Sequence, residues 1–163
     1  MIGGKEAKVK VIHKNNKGEE AASRLSQILD KMKVKYEIEI REEPDSIHLE
    51  IKGKDVGAVI GRRGETLNAI QYLISLMINK KAKNYKRVLV DAGNYKQKRK
   101  ETLITLAEKM ADKVMKNKKG IVLEPMNPYE RRIIHSYLQN DNSVETSSEG
   151  QEPYRKVVIK PKK

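Results

Sequence analysis

The chain has 163 residues, and 35 Lys and Arg against 22 Asp and Glu give it a formal charge of +13, which points first to a polyanionic partner. It has no Cys, Trp or Phe, which excludes a disulfide framework, a thiolate zinc site and a cysteine nucleophile. No apolar run approaches the ~20 residues of a membrane span, and the N-terminus MIGGKEAKVK lacks the apolar core of a signal peptide, so a cytoplasmic protein is expected.

Residues 1–18 are Gly- and Lys-rich and, apart from Val9, Val11 and Ile12, read as a mostly loose basic lead-in. Residues 19–32 predict a helix, because Ala22, Leu25, Ile28, Leu29 and Met32 recur at three- and four-residue spacing. Val34, Tyr36, Ile38 and Ile40 alternate with charged residues and predict a strand. Glu43-Pro44-Asp45-Ser46 is a turn, and Ile47, Leu49 and Ile51 give a second strand, making a hairpin. Residues 54–60 predict a short helix stopped by Gly61. Residues 65–81 predict a longer one, with Leu67, Ile70, Leu73, Ile74, Met77 and Ile78 on one face. Residues 87–91 predict a third strand.

A long helix is predicted over 94–117, with Leu103, Leu106, Ala107, Met110 and Val114 as its buried stripe. Its other faces carry Lys96, Lys98, Arg99, Lys100, Lys109, Lys113 and Lys116. Ile121, Val122 and Leu123 read as a short buried strand. In Asn127-Pro128-Tyr129-Glu130, Asn suits an N-cap, Pro the first helical position and Glu a capping box, so a helix runs from there to about Gln139. Residues 144–147 and 154–159 read as strands joined by a loop over 148–153, and the tail 161–163 as frayed. The fold class is α+β, in two small domains: α-β-β-α-α-β over 19–92 and α-β-α-β-β over 93–160.

The charge is unevenly spread. Residues 93–119 hold nine basic and three acidic residues, whereas 19–92 hold 14 and 12. A like-charged cluster on one helix favours binding over mere solubility.

Two motifs carry chemistry. Gly61-Arg62-Arg63-Gly64 sits between two predicted helices. Glycine lets a phosphodiester approach the backbone, the next helix offers free N–H groups, and the arginines add charge. The plainer reading of the tetrapeptide is a helix–turn–helix corner. In its context, VIGRRGETLNAIQYL within α-β-β-α-α-β, the segment closely resembles a type II KH domain. The resemblance implies a GxxG loop that clamps about four nucleotides of single-stranded RNA or DNA. Val56, Val59 and Ile60 are then expected to wall an apolar groove for bases, and Lys54 to add a contact.

The second motif is Arg131-Arg132-Ile133-Ile134-His135. At 100° per residue, Ile133, Ile134, Tyr137 and Leu138 share a buried side. Arg131, His135 and Gln139 share another, which is expected to present a paired cationic and imidazole surface to solvent, with Arg132 nearby. The capped helix, the basic helix before it and the closing SSEGQEPYRKVVIKP hairpin resemble the small R-x-x-x-H nucleic-acid-binding domain. That resemblance implies Arg131 and His135 on the ligand-facing surface, extended by Arg155 and Lys156 on the last strand. Lys96, Arg99 and Lys100 are taken as further nucleic-acid contacts.

A type II KH domain followed directly by an R-x-x-x-H domain resembles the bacterial Jag/KhpB family, the elongasome-regulator or sporulation-associated RNA-binding proteins. The lead-in GGKEAKVKVI looks like the end of that family's N-terminal domain, most of which is absent here. The resemblance implies a cytoplasmic RNA-binding protein, an RNA chaperone that influences cell shape, elongation and cell-wall synthesis, with a small KH-domain protein or a second copy of itself as partner. A single-stranded DNA binder and a KH-mediated protein-interaction module are the alternatives. No cofactor, metal or small-molecule substrate is expected. No catalysis is expected either, because general acid–base cleavage wants two poised groups and His135 has no second His or paired carboxylates near it in sequence.

Overall fold

The computed structural model describes residues 9–11, 16–80 and 82–162. The chain divides into two compact units, Met1–Lys96 and Gln97–Lys163. Each is a mixed α+β unit with its own sheet. Among the described residues, no helix is long and apolar enough to cross a membrane.

The first unit runs β1 (Val9–Val11), α1 (Asn16–Lys31), β2 (Glu37–Glu42), β3 (Ser46–Lys52), α2 (Val56–Ile60), α3 (Glu65–Asn79) and β4 (Arg87–Ala92). Its sheet has the order β1-β2-β3-β4; β2 and β3 are antiparallel, and the two outer pairs are parallel. Register follows the apolar alternation. Ile38 and Ile40, then Ile47, Leu49 and Ile51, then Val88, Val90 and Ala92 all point to the helices and are buried. A slip of one residue would turn each set to solvent. Ala21, Ala22, Leu25 and Leu29 of α1 complete one core with Leu67, Ile70, Ile74 and Ile78 of α3.

Three expectations change here. The lead-in is not loose throughout: Val9–Val11 form a strand against β2, and α1 begins at Asn16, while 1–8 and 12–15 lie outside the described residues. Val34 is buried but not in a strand. Lys33 adopts a left-handed φ of 57° and the Val34 N–H bonds the Leu29 carbonyl at 3.4 Å, a helix stop that uses up residues 32–34 before alternation can begin. On α3, Leu73 and Met77 are 44% and 46% exposed, so the buried stripe is narrower than the apolar pattern.

Polar groups close the unit. The Glu42 carboxylate accepts from the Gly18 N–H at 2.8 Å and pairs with the buried Lys86 ammonium, tying α1, β2 and the approach to β4 together. Lys86 also donates to the Glu43 carbonyl at 3.3 Å. Breaking such a pair by removing one partner costs about 3–5 kcal/mol, because the other charge stays buried. The outer edge of β4 is covered from α3: Asn79 bridges both backbone groups of Lys86, and Gln71 accepts from the Val90 N–H at 3.0 Å. An edge protected in this way does not invite strand addition.

The second unit contains most of α4 (Tyr95–Asn117), then β5 (Ile121–Val122), α5 (Pro128–Leu138), β6 (Val144–Glu149) and β7 (Lys156–Pro161). Its antiparallel sheet has the order β5-β7-β6. Leu103, Ala107, Ala111 and Val114 of α4 join Ile134, Leu138, Val144, Val157 and Ile159 in one core. Ala111 therefore takes the place expected of Leu106 and Met110, which are only half-buried. Val122 is exposed rather than buried, and Tyr137 is 41% exposed. The tail is held as far as Lys162, since Pro161 pairs with Val144 and the Lys162 N–H bonds the Ser143 carbonyl at 2.9 Å. Lys163 lies outside the described residues.

Candidate nucleic-acid interface

The Gly61–Gly64 corner is built by backbone strain and close packing. α2 ends when the Gly61 N–H bonds the Gly57 carbonyl, and a single 3₁₀ turn over Arg62–Gly64 leads into α3. Gly61, Arg63 and Gly64 all have positive φ (69°, 53° and 77°). A side chain at Gly61 would meet Thr66 Oγ1 at 2.0 Å, and one at Gly64 would meet the Tyr95 ring at 2.5 Å. The glycines are thus demanded by the protein's own packing as well as by any ligand's approach. The result is a rigid corner from which Arg62 projects into solvent, with Arg63 half-buried beside it. Of the expected groove walls, Val59 is core, and Val56 and Ile60 pack partly against it. Lys54 is exposed but precedes α2, in the turn after β3.

In the second unit, Asn127 caps α5 as expected, its side chain accepting from the Glu130 N–H at 3.0 Å, with Pro128 at the first helical position. The Arg131–His135 pair departs from expectation. Arg131 is buried, not presented to solvent. Its guanidinium donates to the Met126 carbonyl at 2.8 Å and to both Glu152 oxygens, at 2.6 and 3.3 Å. The fork geometry of guanidinium and carboxylate explains why the pair is bidentate. That hydrogen bond holds the Glu152 carboxyl below its ordinary pKa.

His135 is half-buried between α5 and β6. Its Nδ1 lies 2.6 Å from Thr146 Oγ1 and its Nε2 2.7 Å from Ser148 Oγ. Burial, then the charge of Arg131, lowers its pKa, so near pH 7 the imidazole is neutral and adds no positive charge. Hydroxyls suit it, because each can donate or accept as the neutral ring requires. Of the residues expected on this face, Gln139 and Arg132 are exposed.

Other expected contacts prove to be internal ties. Arg99 donates to the buried Glu130 carboxylate at 2.7 Å, clamping α4 to α5. Lys96 donates to Gln71 at 2.6 Å, and burial lowers its pKa. Arg155 lies in the β6–β7 loop, not on the last strand, and bonds the Ser148 carbonyl at 3.2 Å. Lys100 stays exposed or nearly so, as do Lys98, Lys109, Lys113 and Lys116 on α4.

Sequence reasoning missed Glu152, Glu130, Thr146 and Ser148. The i, i+2 hydroxyls of Thr146 and Ser148 were a usable signal, because they mark one face of a strand. Nothing in the spacing links Arg131 to Glu152.

The glycine-bracketed corner beside a helix-covered sheet, then two helices on a three-stranded sheet carrying the Arg131–His135 pair, define a KH domain followed by an R-x-x-x-H domain. The family model described as "KhpA/KhpB, KH domain" matches residues 19–90, and the model of the R-x-x-x-H domain matches 101–161. The "RNA-binding protein KhpB" of Clostridium symbiosum is 46% identical over 160 residues, covering 97% of this chain and 72% of the relative. That of Bacillus subtilis (strain 168) is 39% identical over 165 residues, covering 100% and 79%. The chain belongs to this Jag/KhpB family.

Two outcomes follow from the geometry. Gly61→Ala and Gly64→Ala each put a Cβ into positive φ and into a neighbour, and should cost at least about 1–2 kcal/mol in chemical denaturation. Gly57→Ala, with open space in α2, should gain roughly 0.5–1 kcal/mol. For His135, the unfolded chain binds a proton more readily than the fold. Stability should therefore be full above the ordinary histidine value near 6.5 and fall as pH drops through it. Melting curves across that range should show this slope, and His135→Gln should flatten it.

Proposed function

We propose that the chain binds single-stranded nucleic acid, most directly RNA, without catalysing a reaction on it. The observation that carries this reading is the Gly61–Gly64 corner. Arg62 and Arg63 leave a backbone locked by Thr66 and Tyr95, so their charge is offered at a fixed place with little ordering cost. The names of the relatives, which state RNA binding, support the choice of RNA over DNA. Arg131 and His135 act chiefly as organisers of the R-x-x-x-H face, and the exposed lysines of α4 supply general phosphate attraction. The family resemblance extends the reading to a cytoplasmic RNA chaperone that affects cell shape, elongation and cell-wall synthesis.

A second reading concerns a protein partner. Tyr72, Leu73, Leu76 and Met77 form an exposed apolar row on α3, between 44% and 64% exposed. Such a row suits another KH domain, from a second copy or from a small KH protein.

Arg62→Asp with Arg63→Asp should cut affinity for single-stranded RNA at least roughly tenfold in a filter assay, with circular dichroism unchanged. Wild-type affinity should fall steeply with salt as counterions are released. A folded double mutant with full affinity, or a flat salt response, sinks the loop mechanism. Crosslinking in cells with sequencing of the bound strands checks RNA against DNA and shows whether cell-wall transcripts are enriched. For the partner, light scattering should show a dimer, alone or with a small KH protein, that Leu76→Lys dissociates. A chain monomeric under both conditions removes that reading.

A further inference from the structure

A chain without Trp or Phe must stack bases on tyrosine if it stacks them on rings at all, and seven tyrosines are available. Two are occupied internally. Tyr36 bonds Asp30 and the Ser26 carbonyl, and Tyr95 packs against the first core beside Gly64. Tyr72 stands in the apolar row of α3, and Tyr85 lies within 3.4 Å of Ser75 on that helix. Tyr154 sits in the β6–β7 loop. Tyr129 and Tyr137 are left, and they line one depression together with two cations.

That depression is a groove of about 370 Å³ between α4 and α5. Its floor includes Ile104 and Ile133, and its walls are Tyr129, Tyr137, Lys100 and Arg132. Tyr129 is 66% exposed, so its ring is open. Tyr137 is fixed at the other end, where its hydroxyl donates to the Glu108 carboxylate. Along α4 the row Lys100, Ile104, Glu108 therefore runs from a cation to an anion, and Arg132 lies one turn from Tyr129. Among the described residues, neither Lys100 nor Arg132 has a carboxylate within ion-pairing distance. Their neighbours Arg99 and Arg131 are taken up by Glu130 and Glu152. The unit thus commits two arginines to its own architecture and leaves two cations beside an open ring on an apolar floor.

We propose that this groove is a further seat for single-stranded nucleic acid, in which one base stacks on Tyr129 while Lys100 and Arg132 hold the adjoining phosphates. The proposal rests on the nucleic-acid reading above and adds a site in the second unit. An exposed ring gives sequence-tolerant stacking, since every base has a π-face, and the flanking cations select the phosphodiester. The carboxylate of Glu108 keeps the anionic backbone at the Tyr129 end. The chemistry differs from that of the Gly61–Gly64 corner, which offers charge and backbone without a ring.

The test uses the full chain and a fluorescently labelled oligouridine, followed by anisotropy. Tyr129→Ala should weaken binding about tenfold, the range expected for one stacked base, whereas Tyr129→Phe, which keeps the ring, should bind like wild type. Arg132→Glu should also weaken binding and flatten the salt dependence. It serves as the independent variant if Tyr129→Ala proves unfolded by circular dichroism. A 5-iodouridine oligomer should photo-crosslink to Tyr129 or Tyr137. If folded Tyr129→Ala and Arg132→Glu bind normally while the Arg62→Asp, Arg63→Asp protein does not, the groove is overturned and the nucleic-acid reading stands. If the wild type binds neither oligouridine nor oligothymidine, both fall. Displacement of oligouridine from the Arg62→Asp, Arg63→Asp protein by polyglutamate as readily as by unlabelled oligouridine would also overturn the proposal, in favour of an acidic protein partner.

Discussion

A guanidinium taken out of water must find acceptors for its donors, and Arg131 finds three: the Met126 carbonyl and the two oxygens of Glu152. Much of the second unit is arranged around this requirement. The contact ties the start of α5 to the β6–β7 loop, and one turn later His135 fastens the same helix to β6 through Thr146 and Ser148. On the other side Arg99 and Glu130 join α4 to α5. Each partner left alone would be a buried charge or an unsatisfied donor, at a cost of several kcal/mol. The charged and polar residues that helical spacing offers to a ligand are therefore first a scaffold.

The same rule operates in the first unit. Lys86 is neutralised by Glu42, and Lys96 is held by Gln71. A protein of charge +13 keeps several cations for its own interior. What remains outside is a more selective set: Arg62 at the corner, Arg132 and Lys100 at the α4–α5 groove, and the lysines along α4. Long-range attraction depends on the total charge, whereas positioning depends on these few placed groups.

The corner shows how a binding motif and a folding motif can be one object. Positive φ at Gly61 and Gly64 turns the chain between α2 and α3, and Thr66 and Tyr95 fill the space where side chains would stand. The fold would require glycine at both positions even without a ligand. Rigidity is the functional gain, because arginines on a fixed corner lose less entropy on meeting phosphate than arginines on a loose loop.

Local periodicity by itself determined the helices, the strand alternation, the Asn127 cap and the two-domain order, because these depend on neighbours a few residues apart. It also marked the Gly61–Gly64 corner, since paired glycines between helices have few other uses. Only the tertiary structure decided which residues of an apolar stripe meet a core. Leu73 and Met77 of α3 lack a covering element among the described residues, and Leu106 of α4 yields its place to Ala111. Helical spacing put Arg131 and His135 on one face but could not say whether that face met water. The answer came from Glu152, Thr146 and Ser148, between 11 and 21 residues away along the chain. Burial and charge pairing are properties of what the fold brings alongside a residue, and one-dimensional spacing carries no record of that.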